Sequence, residues 1–282
     1  MTFKQTKEKL RREWQKSTGT VFAGIKIALA YKFEFFIALV TTPISLFIFY
    51  FLWKSIYAFS EVSIIRGYTF EELVTYFVLS MIVSFFVWSD VDAWLEHEIV
   101  KGNMVGWLLR PISYLRNEFC FETGLKMLSF AIQAVPIAIG AHFILDLNFT
   151  SWIYLGISAF TVLVASLIIF LISFLIGTCA FWLQRIRGVR RLKRGFILLL
   201  SGGLLPLTFF PSWWENISHF LPFEYMRFVP INIYLGKYTF TGAGFENILI
   251  VVGVQVAWAL FLYICAKILW KSAIKKFSGS GA

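Results

Sequence analysis

The chain has 282 residues, of which 59% are hydrophobic and only 15% charged, and its mean hydropathy is +0.74. Such values exclude an ordinary soluble domain, in which charged residues make up about a quarter of the sequence. The net charge of +10 could suggest nucleic acid, but the bases sit beside long apolar stretches, where anionic lipid accounts for them.

Residues 3–22 interleave Phe3, Leu10, Trp14 and Val21 with Lys4, Lys7, Lys9, Arg11, Arg12 and Lys16. The spacing predicts an amphipathic helix on the inner membrane surface, inside an interface region over residues 1–30. Six apolar stretches follow, at about 33–53, 73–88, 123–145, 152–182, from Gly195 onward, and 245–270. Of the 26 Lys and Arg, all but Lys54, Arg66, Arg227 and Lys237 fall before the first stretch, around the connections after the second and fourth, or at the end of the sixth. Translocating bases is costly, so the bias predicts six spans with both termini in the cytoplasm. Pro136 predicts a kink in the third span. A short outward turn, 146–151, predicts antiparallel packing of the third and fourth. The run from Gln184 to Arg194 holds Arg185, Arg187, Arg190, Arg191, Lys193 and Arg194 without an acid, and is the strongest inward marker.

The fifth stretch is interrupted by Ser201-Gly202-Gly203 and Pro206, and Pro211, Pro222 and Pro230 follow. Broken backbone at membrane depth survives only inside protein or along a cavity. Residues 201–236 therefore predict short re-entrant helices dipping from the outer face, with Phe209, Phe210, Trp213 and Trp214 at the aromatic belt. They would form either an outer gate or a plain interfacial anchor. Cys120, Cys179 and Cys265 lie near inward ends of spans, so no disulfide framework is expected. Residues 278–282 read as an appended tail, which leaves one transmembrane domain over 1–277.

The inward connection, 90–122, carries Asp90, Asp92, Glu96, His97 and Glu98. Paired carboxylates can hold a divalent ion for intramembrane transfer chemistry. On a helix, however, residues two apart point in different directions, and no second acidic pair completes a site. The cluster therefore reads as a solvated helix face, with no metal and no catalytic residue assigned. Further along, Val105 to Leu109 form an apolar turn that Arg110-Pro111 terminates, a natural handle for a soluble partner. The chain lacks a Gly-x-x-x-x-Gly-Lys-Ser/Thr loop; Gly236-Lys237-Tyr238-Thr239 is only a decoy. Ionisable groups in mid-span are scarce, so transport would draw its energy from elsewhere.

Three features together resemble the membrane subunits of ABC-2 type exporters, in particular the viologen-exporter-like branch. The first is the order of basic surface helix, six spans, and inward connection after the second. The second is Glu98-Ile99-Val100-Lys101-Gly102-Asn103 followed by Leu108-Leu109-Arg110-Pro111-Ile112. The third is Gly203 to Pro211 with Leu221 to Met226 and Tyr234-Leu235-Gly236.

The resemblance implies an all-α integral membrane fold: six transmembrane helices, an N-terminal interface helix, a cytoplasmic coupling helix and re-entrant outer helices before the last span. It implies a permease in a prokaryotic cytoplasmic membrane, paired with an identical or paralogous permease and driven by a separate nucleotide-binding subunit. That subunit would bind ATP and Mg; this chain would hold no cofactor. It also implies ATPase coupling through Glu98, Gly102, Leu108, Leu109, Arg110 and Pro111. An outer gate would involve Phe209, Phe210, Trp213, Trp214, Glu224 and Tyr225, and the cargo would be amphipathic and drug-, lipid- or glycan-like. Competing readings are a metal-dependent transferase using Asp90, Asp92, Glu96 and Glu98, and a non-transporting scaffold.

Overall fold

The computed structural model describes residues 3–30, 32–60, 62–110, 112–145 and 151–276. Helix α1, Phe3–Ala30, precedes α2, Lys32–Ser60. A two-residue turn at Arg66 and Gly67, both at positive φ, joins β1, Ile64–Ile65, to β2, Tyr68–Thr69. That geometry matches strand twist and favours glycine. Helix α3, Phe70–Val87, starts at a capping box: Glu72 N–H donates to Thr69 Oγ1 at 3.2 Å, and Thr69 N–H to Glu72 Oε2 at 3.0 Å. Helices α4, Val91–Val100, and α5, Met104–Leu108, form the next connection.

Helix α6, Tyr114–Ser129, passes through a π turn at Phe130–Ala134 into α7, Val135–Leu145. Helix α8, Trp152–Thr178, continues into α9, Ala180–Leu183, and α10, Arg187–Leu200. Short helices α11, Ser212–Ser218, and α12, Phe228–Tyr234, lead to α13, Ile248–Lys276.

Five helical stretches among the described residues are long and apolar enough to cross a membrane: Val40–Ser60, Phe70–Val100, Tyr114–Phe143, Trp152–Leu183 and Ile248–Lys276. The fifth predicted span is not among them. Its helix, α10, starts at Arg187 rather than near Gly195, and its 14 residues reach only about 21 Å. An apolar bilayer core needs about 30 Å. The third span begins at Tyr114, earlier than its apolar residues suggest, because Glu118, Glu122 and Lys126 lie on the buried side of α6. Its irregularity is the π turn just before Pro136, whose ring supplies no N–H to the preceding turn. The predicted turn after it falls largely outside the described residues.

The core centres on α8, which α3, α4, α12 and α13 surround. Helix α1 packs lengthwise on α6. Gly24 approaches the Phe121 carbonyl, and Gly124 the Val21 carbonyl, so closely that a Cβ at either would strike backbone. Small residues permit such approach between apolar helices.

Side chains from the surrounding helices satisfy three backbone carbonyls of the broken segment. Tyr76 Oη donates to the Gly202 carbonyl at 2.7 Å, and Ser158 Oγ to the Pro230 carbonyl at 2.8 Å. Gln255 Nε2 donates to the carbonyls of Thr161 and Tyr225, each at 2.8 Å. Irregular backbone in an apolar environment needs such internal bonds, although Ser201 Oγ, Thr208 Oγ1 and Trp214 Nε1 are buried without a partner among the described residues.

Candidate coupling site

The tip of the connection between α3 and α6 is built by local chemistry. Lys101 ends α4, and Gly102 turns the chain at φ +74°, a conformation that favours glycine. Helix α5 then lays Met104 into the core and leaves Val105, Leu108 and Leu109 exposed, Leu109 at 82%. Trp107 braces the turn. Its Nε1 donates to Glu98 Oε2 at 3.0 Å, and the Arg110 guanidinium lies over its ring at 4.0 Å from the centroid. The ring also meets Tyr114 edge-on at 5.3 Å, and Tyr114 stacks on Trp270 at 5.3 Å. Glu98, Gly102, Leu108, Leu109 and Arg110 are thus brought together at one tip; Pro111 lies outside the described residues.

The acidic cluster is only partly a solvated face: His97 is exposed, but Asp92 and Glu96 are buried against α8 and α10. Asp90, Asp92 and Glu96 each meet a base of the run that follows the fourth span. Lys193 Nζ stands 2.7 Å from Asp92 Oδ2, Arg190 Nη2 3.1 Å from Glu96 Oε2, and Arg194 Nη2 3.0 Å from Asp90 Oδ1. Glu96 Oε1 also accepts the Ile186 N–H at 3.3 Å. The helix period places Arg190, Lys193 and Arg194 on one face of α10, and Asp92 and Glu96 on one face of α4. Carboxylates so engaged are committed to these bases. No group of His, Cys, Asp or Glu among the described residues converges as a metal site would.

A second buried pair joins this ladder. Glu122 and Lys126 of α6 lie 3.3 Å apart. Ser89 donates to Glu122 Oε1 at 2.9 Å, while its carbonyl accepts from Lys193 Nζ at 3.1 Å. Lys126 reaches Ser166 at 3.1 Å, and Lys193 reaches Ser173 at 3.0 Å. The third and fourth spans, α4 and α10 therefore share one polar chain. The small side chain of Ser89 gave no sequence signal of that junction.

At the opposite end, the proposed gate residues divide. Trp213 is exposed, with Trp214 edge-on to it at 6.0 Å. Phe209 packs inward, 5.3 Å from Trp53 and 6.3 Å from Tyr68, and Phe210 rests on the core. Glu224 is buried and accepts from Ser218 Oγ at 2.7 Å, with His219 Nδ1 3.0 Å away. His219, which lacks an evident partner in the sequence, also stacks on Phe245 at 4.6 Å. Tyr225 is buried and donates to the His219 carbonyl at 2.6 Å. Glu224 and Tyr225 therefore hold the segment's shape, while Trp213 is exposed and Trp214 half-buried.

The decoy lysine also has a structural role: Lys237 Nζ donates to the Gly67 carbonyl at 2.8 Å and pairs with Glu72 at 3.0 Å. Arg227, passed over in the sequence, is buried where Gly203 leaves room for its guanidinium. It forms no ion pair among the described residues.

Among curated proteins and among solved structures, none matches the chain. The family model described as ABC-2 family transporter protein matches residues 32–281, nearly the whole sequence. The chain belongs to that family, and is a multi-pass membrane permease subunit of an ABC transporter.

Proposed function

We propose that this permease forms half of the passage of an ATP-driven exporter, with α5 as the point at which a separate ATPase subunit takes hold. Both termini face the cytoplasm, as the distribution of bases indicates, so the α4–α5 connection faces the motor and the broken segment faces outward. A second permease copy completes the passage. ATP and Mg belong to the motor, and this chain performs no catalysis of its own. The cargo is amphipathic and leaves past Trp213 and Trp214.

The observation that carries this reading is the continuity between the exposed tip and the broken segment. Leu108 and Leu109 offer apolar surface on a tip braced by Glu98, Trp107 and Arg110. The tip continues into α4, whose acids grip α10, and α10 ends where Ser201 to Gly203 open the broken segment. A displacement of the tip can therefore reach that segment through one ion-paired helix. Two conformers of this assembly, one favoured by nucleotide, suffice for a pump.

The test is co-purification from the native membrane. The permease should bring down a nucleotide-binding subunit whose ATP hydrolysis responds to cargo. Leu109→Asp and Arg110→Ala should release that subunit while the permease still inserts. Full retention of the subunit by both variants would overturn the assignment of the tip.

A further inference from the structure

Beside α4 a cavity of about 640 Å³ lies between the end of the second span, the third span and α1. This is within the size range of small-molecule sites. Trp88, Asp90 and Trp94 form one wall; Glu122, Lys126 and Gln133 form the other. Nothing in the coupling ladder accounts for Gln133. Its residue is 6% exposed, it sits in the π turn of the third span, and its amide makes no hydrogen bond among the described residues. The amide is open to the cavity it lines, so a bound group can meet it. A π turn is a recurrent device at functional sites.

The lining also has a sign. It holds two carboxylates, Asp90 and Glu122, against one ammonium, Lys126. Asp90 is shared with Arg194, which lies outside the lining. Glu122 is held by Ser89 and Lys126. The Trp94 indole adds a face that attracts cations, whereas the Trp88 ring already has Lys193 and Arg194 at 5.8 and 5.7 Å from its centroid. Phe85, Phe121 and Leu125 supply apolar wall, so a ligand must combine an apolar body with a positive head. The amide oxygen of Gln133 accepts hydrogen bonds, which favours a head with an N–H to donate.

We propose that this cavity is a substrate-binding site and that it takes an amphipathic amine in its protonated form. The proposal rests on the exporter reading for its role, but not for the binding itself. The ammonium would donate to Gln133 and lie against Trp94, within the field of Glu122, with its apolar body along Phe121 and Leu125. The place fits a cargo gathered from the inner leaflet before export.

The experiment is equilibrium binding to the purified permease in nanodiscs of zwitterionic lipid. The probe is tritiated propranolol, a naphthyl secondary amine; naproxen, a naphthyl carboxylate of similar size, is the control. Empty nanodiscs give the partition background. Propranolol should bind saturably, and naproxen at least tenfold more weakly. Gln133→Leu and Trp94→Ala should each lower propranolol affinity at least fivefold while the size-exclusion profile and melting temperature hold.

Absence of saturable propranolol binding would overturn the proposal, as would equal binding of naproxen or unchanged affinity in both variants. An ATPase that docks and hydrolyses ATP beside an empty cavity would leave the exporter reading standing alone. Variant-sensitive amine binding with no ATPase recovered would do the reverse.

Discussion

Lys193 Nζ stands 2.7 Å from Asp92 Oδ2, and both side chains are almost wholly withdrawn from solvent. The same ammonium donates to the Ser89 carbonyl and to Ser173 Oγ, while no further donor reaches Asp92 Oδ2 among the described residues. Loss of one partner would leave the other buried and uncompensated, which costs about 3–5 kcal/mol. Asp92→Asn and Lys193→Met should each lower the melting temperature in detergent. Asp92→Leu combined with Lys193→Met should recover most of the loss, because apolar replacement of both charges removes the desolvation cost. A double variant no better than the singles would show that the pair does not act as a unit.

Trp107 links two of the tip's charged residues, Glu98 through its N–H and Arg110 through its ring. An exposed cation–ring contact is worth about 0.5–1 kcal/mol, and a hydrogen bond to a charged group about 1.5–3 kcal/mol. Trp107→Ala should therefore weaken ATPase docking by roughly tenfold or more. Trp107→Phe keeps an aromatic face against Tyr114 and Arg110 and should fall between. A titration of purified ATPase against permease in nanodiscs reads both. Wild-type affinity in Trp107→Ala would remove the bracing role.

The contrast between what the sequence shows and what it hides follows from the type of interaction. Apolar runs fix the long helices because composition suffices, and Gly102 marks the turn after α4. The basic run and the acidic cluster are both plain in the sequence, yet one reads as an inward marker and the other as a solvated face. Their pairing depends on α4 and α10 meeting across a separation of about a hundred residues, which no local spacing encodes. Glu118 and Glu122 kept the first turns of α6 outside the span read at 123–145, since only the structure reveals that both are buried. The β-hairpin was missed because two-residue strands carry no period; Arg66-Gly67 was its one signal.

The approach of α1 to α6 gives a steric test. Gly124 faces the Val21 backbone, which cannot swing aside as a flexible side chain can. Gly124→Val should part the helices by an ångström or more. Thr20 Oγ1 lies 3.3 Å from Asn117 Oδ1 across the same contact. Cysteines at those two positions, in a background lacking Cys120, Cys179 and Cys265, should cross-link readily with Gly124 and poorly with Val. Equal yields would mean that the contact does not need the glycine.

High pH should lower the stability of the fold. Burial pushes the phenols of Tyr68 and Tyr238 above their ordinary value of 10.0. Below about pH 10 both states hold these protons, so the contribution to stability is fully present. Above it the unfolded chain ionises first, and folding becomes less favourable by up to about 1.4 kcal/mol per pH unit for each tyrosine. Melting temperatures should be flat from pH 8 to about 9.5 and fall beyond. Tyr238→Phe should shallow the fall, and an unchanged slope would exclude Tyr238 as a contributor.

The orientation inferred from the bases has a direct readout. Gly188 is exposed at the start of α10, and Ser212 is exposed at the start of α11, on opposite ends of the bundle. Ser212→Cys should react with a membrane-impermeant maleimide on intact cells. Gly188→Cys should react only after permeabilisation. The reverse pattern would place α5 outside the cell, where no ATPase could reach it, and would overturn the coupling role of Leu109 and Arg110. Labelling of both from outside would break the link between the Lys193–Asp92 ladder and an inner motor, because α4, α5 and the start of α10 share one end.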